Sequence, residues 1–178
     1  QLVTPGALAA EPIRVGVSAS LTGTYAAPGS DLLDGLKMWA YDVNSRGALL
    51  GRRVEIVSYD DQSDPDTSAR LYEKLISNDQ VDLLIGPYAS DVTLAASEVA
   101  ARHGFPMVSP SASATGIWSL GYQNVFQVDS PADRYMDLLI ESASNAGLTT
   151  IALAYAGNDF PREVARGVRT KAATAGMQ

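Results

Sequence analysis

Hydroxyl side chains cluster after two apolar segments of this sequence, and they are its clearest candidates for binding a ligand. One group, Tyr88-Ala89-Ser90, follows an apolar run that ends at Ile85, and the other comprises Ser109, Ser111 and Ser113. Helix N-termini carry a partial positive charge of about half a unit, so a helix capped by Ser90 and the nearby hydroxyls can hold a carboxylate without a charged side chain. Ordinary helix capping by serine explains the same pattern equally well.

The residues needed for catalysis are scarce. The sequence has no cysteine, and its single histidine, His103, falls at a predicted helix C-terminus, where it complements the helix dipole. No serine lies in a G-x-S-x-G motif, and the glycine-rich loop 18–30 has neither the dinucleotide-binding pattern nor the P-loop pattern. We therefore expect no catalytic residue, no enzyme activity and no cofactor.

A cluster of carboxylates is the remaining candidate for chemistry. Asp60, Asp61, Asp64 and Asp66 suggest a metal site or a phosphoacceptor pocket, and Asp60 with Asp61 is the acid–base pair that an enzyme would need. A calcium loop, however, requires a glycine at its sixth position and a distant glutamate, and this segment has Pro65 instead. We interpret the cluster as helix capping plus a solvated acidic turn, and we predict no metal site.

Composition excludes several classes of partner. The chain of 178 residues is 46% hydrophobic and has a formal net charge of -7, without a run of lysine or arginine. It can therefore bury a sizeable core, and nucleic acid is not an expected partner. No apolar run reaches the roughly 18 to 20 residues of a membrane span. Residues 1–12 contain the small-residue stretch Ala7-Leu8-Ala9-Ala10, which we interpret as a leader or the remnant of a secretory signal.

Strands and helices alternate along the chain. Apolar or alternating segments predict strands over 13–17, 54–59, 81–85, 105–108 and 125–128, and amphipathic segments predict helices over 31–46, 64–76 and 90–103. This order predicts an α/β fold, with an open parallel sheet that carries helices on both faces.

A second unit is predicted after Asp129-Ser130-Pro131. Residues 129–178 contain a helix, an apolar strand over 150–156 and a closing helix. One strand between two helices cannot cover its own edges or bury a full core. We therefore predict a leader over 1–12, a complete α/β lobe over 13–128 and the first part of an incomplete lobe over 129–178.

Several motifs arrive in an order that resembles a known family. They are S-L-T-G at 20–23, Y-D-D before D-P at 59–65, LLIGPYAS at 83–90, FPMVSPSAS at 105–113 and GYQNVFQVDSPAD at 121–133. Residues 13–176 resemble the amino-terminal lobe and the start of the second lobe of type I periplasmic solute-binding proteins of ABC transporters, in the Leu/Ile/Val-binding family. In that family two α/β lobes close over a small ligand.

The resemblance also implies a ligand site. Ser90 resembles the serine that hydrogen-bonds the ligand carboxylate, and Ser111 to Ser113 fall where the family binds the amino-acid head group. Phe160 falls where the second lobe often has tyrosine, which removes a phenol hydroxyl. The implied ligand-binding residues are Tyr25, Tyr88, Ala89, Ser90, Ser111, Ala112, Ser113 and Phe160.

From the resemblance we expect an extracytoplasmic solute-binding component of an ABC importer. Its ligand would be a small carboxylate such as an aliphatic or aromatic amino acid, its location periplasmic or extracellular, and its partners the membrane subunits of the transporter. The alternative is the ligand-sensing domain of a receptor or regulator with the same fold. Because the family continues for about as many residues again, we expect either a fragment or a second chain that completes the truncated lobe.

Overall fold

A five-stranded parallel sheet forms the centre of the molecule in the computed structural model, which describes residues 11–178. The strands are β1 (Ile13–Ala19), β2 (Val54–Asp60), β3 (Leu83–Ile85), β4 (Met107–Ser109) and β5 (Val125–Gln127), in the spatial order β2-β1-β3-β4-β5. The predicted α/β class is thus confirmed. The predicted leader stays a prediction, because residues 1–10 lie outside the described part.

Helices cover the sheet from both sides. They are α1 (Ala26–Ser45), α2 (Pro65–Ser77), α3 (Ser90–Arg102) and the short α4 (Thr115–Ser119). Alternate residues of β1, from Ile13 to Ala19, pack under α1, while the opposite face holds a larger core in which Tyr72 and Leu75 of α2 pack with Met107 of β4 and with residues of α3. The alternation of Ile13, Val15 and Val17 with Arg14 and Gly16 thus places the apolar side chains of β1 on the face that packs under α1.

The helix boundaries agree with the sequence at α2 and differ at α1. Asp64 caps α2 by accepting a hydrogen bond of 2.7 Å from the Thr67 N–H, and Pro65 occupies the first helical position, as predicted. Helix α1 begins at Ala26, before the predicted start at residue 31, so Asp31 lies beyond its first turn. The first hydrogen bond of the helix runs from the Gly29 N–H to the Tyr25 carbonyl at 2.9 Å, so the first loop passes directly into the helix.

Residues 129–178 build around a separate apolar cluster. A 3₁₀ turn (Ala132–Arg134) leads into α5 (Asp137–Asn145) and later α6 (Asp159–Thr174), and Ile140, Val168, Ala172 and Met177 pack together between them. None of the helices within residues 11–178 is both long enough and apolar enough to span a membrane.

The predicted strand over 150–156 is wrong for this chain. A strand requires a neighbour for its backbone groups, and within residues 11–178 the backbone hydrogen bond found for this segment runs from the Ile151 N–H to the Gln178 carbonyl, beside the bond that the preceding Thr149 accepts from Gln178. Leu153 and Tyr155 consequently remain 37% and 45% exposed. The segment has the composition of a buried strand without the neighbours that would bury it.

Candidate functional site

A cavity of about 320 Å³ lies at the carboxyl edge of the sheet, beside the loops that follow β1, β3 and β4. Strand order reverses between β1 and β3, so the loops after these strands diverge and leave a crevice, which is where open α/β sheets bind ligands. The lining residues are Tyr25, Pro28, Tyr88, Ala89, Ser90, Asp91, Ser111, Asp129, Tyr135, Asn158, Asp159 and Phe160. Six of the eight predicted site residues are therefore brought together.

Ser90 occupies the centre of the polar wall. It is the first residue of α3 and not the N-cap that we predicted, since Ala89 holds that position and Ser90 makes no capping hydrogen bond. The Ser90 Oγ instead accepts hydrogen bonds of 3.2 Å from the N–H groups of Ser113 and Ala114. A hydroxyl has two acceptor sites and one proton, so both acceptor sites are used, and no acceptor for the proton is found within residues 11–178, which leaves the proton for a ligand.

Of the three serines in the second cluster, Ser109, Ser111 and Ser113, only Ser111 lines the cavity. Ser111 lines the cavity and donates its hydroxyl to the Tyr88 carbonyl at 3.2 Å, which ties the two loops together. Ala112 and Ser113 do not line the cavity, since both are buried behind it. Ser109 is also buried, and its hydroxyl finds no partner within the described residues.

Ser113, Asp129 and Tyr135 form a triangle of oxygen atoms within hydrogen-bond distance, in which two hydroxyl protons serve three contacts. The Asp129 Oδ2 lies 2.9 Å from the Ser113 Oγ and 2.5 Å from the Tyr135 Oη, and the two hydroxyls are 2.7 Å apart. Both hydroxyl protons are used inside this triangle, so neither is left for a ligand. Ser113 therefore supports the wall through its N–H group and its link to Asp129.

The triangle shifts the pKa of two of its members. Partial burial alone would raise the pKa of Asp129, but hydrogen bonds from Tyr135, Ser113 and the Ser130 N–H outweigh burial and lower that pKa. For Tyr135, burial and the adjacent carboxylate both raise the pKa. At neutral pH the site thus holds an ionised Asp129 and a neutral Tyr135.

Aromatic rings make up the apolar part of the cavity. Tyr25 and Tyr88 have ring centroids 6.2 Å apart, and Tyr135 meets Phe160 edge to face at 5.2 Å. The Tyr25 Oη donates to Asp91 at 3.3 Å and accepts from the Asn158 amide at 3.0 Å. Because Asn158 directly precedes α6, this contact joins the first loop to the 129–178 region.

The charge that faces the cavity is negative. Asp91, Asp129 and Asp159 line it, and among the described residues no lysine, arginine or histidine does. A cavity that combines hydroxyl and N–H donors with carboxylates suits a ligand that carries both charges better than a simple anion.

Half of the residues that line the cavity are not predicted from the sequence. Asp129 follows β5 just as the serines follow β3 and β4, so its place at the same sheet edge was accessible from the sequence. Tyr135 falls in the helical segment predicted after Pro131, where its polar end gives no separate signal. Asp91, Pro28, Asn158 and Asp159 were likewise missed, because their positions depend on how the loops fold over the sheet edge.

The carboxylates at the end of β2 and directly after it lie outside the cavity lining. Asp60, Asp61, Gln62 and Ser63 form a turn, hereafter the acidic turn, and Asp61 is fully buried in it, which corrects the expectation of a solvated segment. Its oxygens accept hydrogen bonds from Ser18 at 2.8 Å and Ser20 at 2.6 Å. Within residues 11–178 no cluster of acidic and histidine side chains is arranged to hold a metal ion.

His103 lies at the end of α3, as the sequence predicts, and outside the cavity lining. Its Nε2 is 2.8 Å from Glu73 of α2, and Arg102 lies 2.5 Å from the same carboxylate. His103 therefore belongs, with Arg102, to a surface contact between α3 and Glu73 of α2.

Comparison with known sequences identifies relatives of this chain. A family model described as "Periplasmic binding protein" matches residues 12–178. The Leu/Ile/Val-binding protein of Escherichia coli K12 is 31% identical over 118 residues, which cover 66% of this chain and 32% of that protein. The Leu/Ile/Val-binding protein BraC3 of Rhizobium johnstonii is 30% identical over 131 residues, or 74% and 35% of the two chains. The chain thus spans about a third of the length of these curated relatives.

Solved structures agree with the fold. A solute-binding protein of an ABC transporter from R. palustris, determined in complex with benzoate, matches 94% of this chain and 46% of its own with a TM-score of 0.85 and 26% identity. The branched-chain amino acid binding protein LivJ of Streptococcus pneumoniae, determined with isoleucine, matches 90% and 46% with a TM-score of 0.80 and 23% identity. The architecture expected from the resemblance is confirmed.

Proposed function

The chain belongs to the periplasmic binding protein family, and we propose that it binds an α-amino acid in the cavity at the carboxyl edge of its sheet. The observation that carries this proposal is the Ser90 hydroxyl, which lines the cavity with both acceptor sites occupied and its proton free to donate. The N–H groups of Ser90 and Asp91, the first two residues of α3, would add to the binding of the ligand carboxylate, because helix geometry provides no backbone acceptor for them; the Val92 N–H already donates to the Asp91 side chain at 3.0 Å.

An amino acid fits this cavity better than a carboxylate without an amine. Asp129 is ionised, and Asp91 and Asp159 also face the cavity, so an α-ammonium group would find carboxylate partners and a simple acid would meet like charge. The rings of Tyr25, Tyr88, Tyr135 and Phe160 give the ligand side chain an apolar surface. We therefore favour an aliphatic or aromatic amino acid.

We propose that the protein acts as the extracytoplasmic solute-binding component of an ABC importer, with the membrane subunits of that transporter as its partners. Support comes from relatives that are named for binding leucine, isoleucine and valine and from a structural neighbour named as part of an ABC transporter. The corresponding location is the periplasm or the cell exterior.

We also propose that residues 13–128 and 129–178 belong to two lobes and that further polypeptide completes the second one. Residues 129–178 have their own apolar cluster, and the segment 150–156 borders an apolar cavity of about 480 Å³ with its backbone largely unpaired. Native mass spectrometry of the protein from its host would tell whether this polypeptide belongs to the same chain or to a second one. If residues 1–178 alone form a monomer whose amides over 150–156 resist exchange, this part of the proposal is wrong.

A thermal-shift series tests ligand binding. We expect L-leucine or L-phenylalanine, at about 100 times the dissociation constant, to stabilise the protein by about 2.7 kcal/mol, which corresponds to roughly 5 to 10 °C in melting temperature. The matched controls are 4-methylpentanoate, which is leucine without its amine, and 3-methylbutylamine, which lacks the carboxylate. If 4-methylpentanoate and benzoate stabilise the protein as strongly as any amino acid, the ligand is a plain carboxylate and the amino-acid proposal is wrong.

A further inference from the structure

We infer that Ser63, in the acidic turn, is a positioning residue of the proposed ligand site and acts by holding Tyr25 in the cavity wall. Ser63 itself does not line the cavity, whereas Tyr25 does. The inference rests on the proposed function only where it concerns ligand affinity.

The acidic turn is joined to the first loop, residues 20–25, by hydrogen bonds from its carboxylates. The Asp60 Oδ1 accepts from the N–H groups of Leu21 at 2.9 Å and Thr22 at 3.2 Å, and its Oδ2 accepts from the Thr22 hydroxyl at 2.8 Å. The Asp61 Oδ1 accepts from the Ser20 hydroxyl at 2.6 Å. The first half of the loop is thereby fixed to the turn.

Ser63 extends this attachment to the residue that reaches the cavity. Its hydroxyl donates to the Thr22 carbonyl at 2.8 Å and accepts from the Tyr25 N–H at 3.0 Å. The Tyr25 carbonyl accepts from Gly29 inside α1, so Tyr25 lies between the turn and the helix with both backbone groups bonded. Loss of the Ser63 hydroxyl would free the N–H of Tyr25 and the carbonyl of Thr22 together.

The acidic turn has an unusual backbone conformation, which holds Ser63 in place. Gln62 and Ser63 both have positive φ angles, 59° and 61°, although neither is glycine. Asp60 accepts from the Gln62 N–H at 2.8 Å and Asp61 accepts from the Ser63 N–H at 3.0 Å, and these bonds offset the cost of the left-handed conformation. On the other side Gly23 leaves no room for a side chain, because a Cβ there would lie 2.5 Å from the Gln62 carbonyl oxygen.

The consequence reaches the cavity through the ring of Tyr25. That ring packs against Tyr88, and its hydroxyl joins Asp91 and Asn158 across the cavity. A Tyr25 released from Ser63 would sample other positions, and the cavity would lose part of one wall and its link to Asn158. Ligand affinity should therefore depend on a residue that the ligand does not contact.

The test compares two glycine substitutions in the same turn. Ser63→Gly and Gln62→Gly each place glycine at a φ near 60°, where it relieves strain, but only the first removes the hydroxyl. In the ligand-free protein we expect Ser63→Gly to accelerate amide exchange over residues 21–26 by about tenfold and Gln62→Gly to leave it unchanged. Melting temperature should not fall for Gln62→Gly, which controls for changes in backbone freedom.

Ligand titration then separates positioning from a general loss of structure. With L-leucine as the probe, we expect Ser63→Gly to raise the dissociation constant about three- to tenfold in the wild-type background and to have no further effect in a Tyr25→Ala background. An equal loss in both backgrounds, or unchanged exchange over residues 21–26, would overturn the inference. If wild-type protein fails to bind L-leucine or any other amino acid, the proposed function fails, while the exchange measurement still decides whether Ser63 holds Tyr25.

Discussion

At the scale of single residues, the arrangement of the Ser90 hydroxyl leads to a direct prediction. Ser90→Ala removes the free proton that we assign to the ligand carboxylate, so we expect binding of the amino acid to weaken by about 1 to 3 kcal/mol, as for one hydrogen bond to a charged group. Isothermal titration calorimetry well below the melting temperature measures this change without interference from lost stability.

The matched control for Ser90 lies on the same helix. Ser97 is fully buried in α3 and donates to the Leu94 carbonyl at 2.7 Å, outside the cavity lining. Ser97→Ala should lower stability and leave the affinity unchanged. Equal affinities for Ser90→Ala and wild type would remove Ser90 from the binding site.

Asp129 gives the protein a pH dependence with a defined sign. Because its pKa is lowered in the folded state, Asp129 contributes stability above the unfolded pKa of about 3.9, and this contribution is lost as the pH falls through the folded value. Asp129→Asn should therefore destabilise the protein by about 1 to 2 kcal/mol at pH 7, and the difference from wild type should shrink below about pH 4.

Urea unfolding at several pH values measures the effect, with Asp31→Asn on the exposed side of α1 as the control. A difference between wild type and Asp129→Asn that stays constant from pH 7 to pH 3 would mean that the Asp129 carboxylate is not held by Ser113 and Tyr135.

The sequence predicted some of these residues and not others for a physical reason. Tyr88, Ser90 and Ser111 directly follow predicted strands, and parallel topology brings such loops to one edge of the sheet. Whether a hydroxyl there is free or internally bonded depends on side-chain geometry. Ser90 and Ser113 look equivalent in the sequence, yet only Ser90 keeps a proton for a ligand.

At the scale of elements, we expect alanine substitutions at two glycines of α1 to change the stability of the protein in opposite directions. A Cβ at Gly29 would lie 2.1 Å from the Ser20 carbonyl oxygen, whereas a Cβ at Gly35 meets nothing within 4 Å. Gly35→Ala should stabilise the protein by about 0.5 to 1 kcal/mol through helix propensity, and Gly29→Ala should destabilise it by more than that gain. Thermal unfolding of the two variants checks the prediction. Stabilisation by Gly29→Ala would mean that α1 does not pack against the first loop.

Elements that are determined by residues nearby in the sequence could be predicted, whereas elements that depend on contacts with distant parts of the chain could not. The cap at Asp64 and the strands β1 and β4 could be predicted from nearby residues alone. The start of α1 depends on contacts between Gly29 and the first loop. The segment 150–156 has strand composition, but strand formation needs hydrogen-bond partners that a single segment cannot supply.

At the scale of the whole molecule, Glu163 connects the two parts of the chain that flank the cavity. From α6 its carboxylate accepts hydrogen bonds from the Thr115 hydroxyl and, at 3.2 Å, from the Gly116 N–H at the start of α4. Arg166 donates to the same carboxylate at 2.7 Å and to the Thr115 hydroxyl at 2.8 Å. Burial would raise the pKa of Glu163, but the bonds from Thr115 and Arg166 outweigh burial and lower it.

Loss of this carboxylate should loosen the 129–178 region from the sheet unit while both retain their own cores. We expect Glu163→Ala to lower the free energy of unfolding by about 1 to 2 kcal/mol, since it removes hydrogen bonds to a charged and partly exposed group. Amide exchange should accelerate at Gly116 and around Asn158, because the Tyr25–Asn158 contact across the cavity depends on the same placement of α6. The control is Glu98→Ala, which should change neither quantity. Glu98 is an exposed residue on α3 for which no ion pair is found within residues 11–178. If Gly116 exchanges at the wild-type rate in Glu163→Ala, other contacts hold α6 in place, and the cavity keeps its shape without this carboxylate.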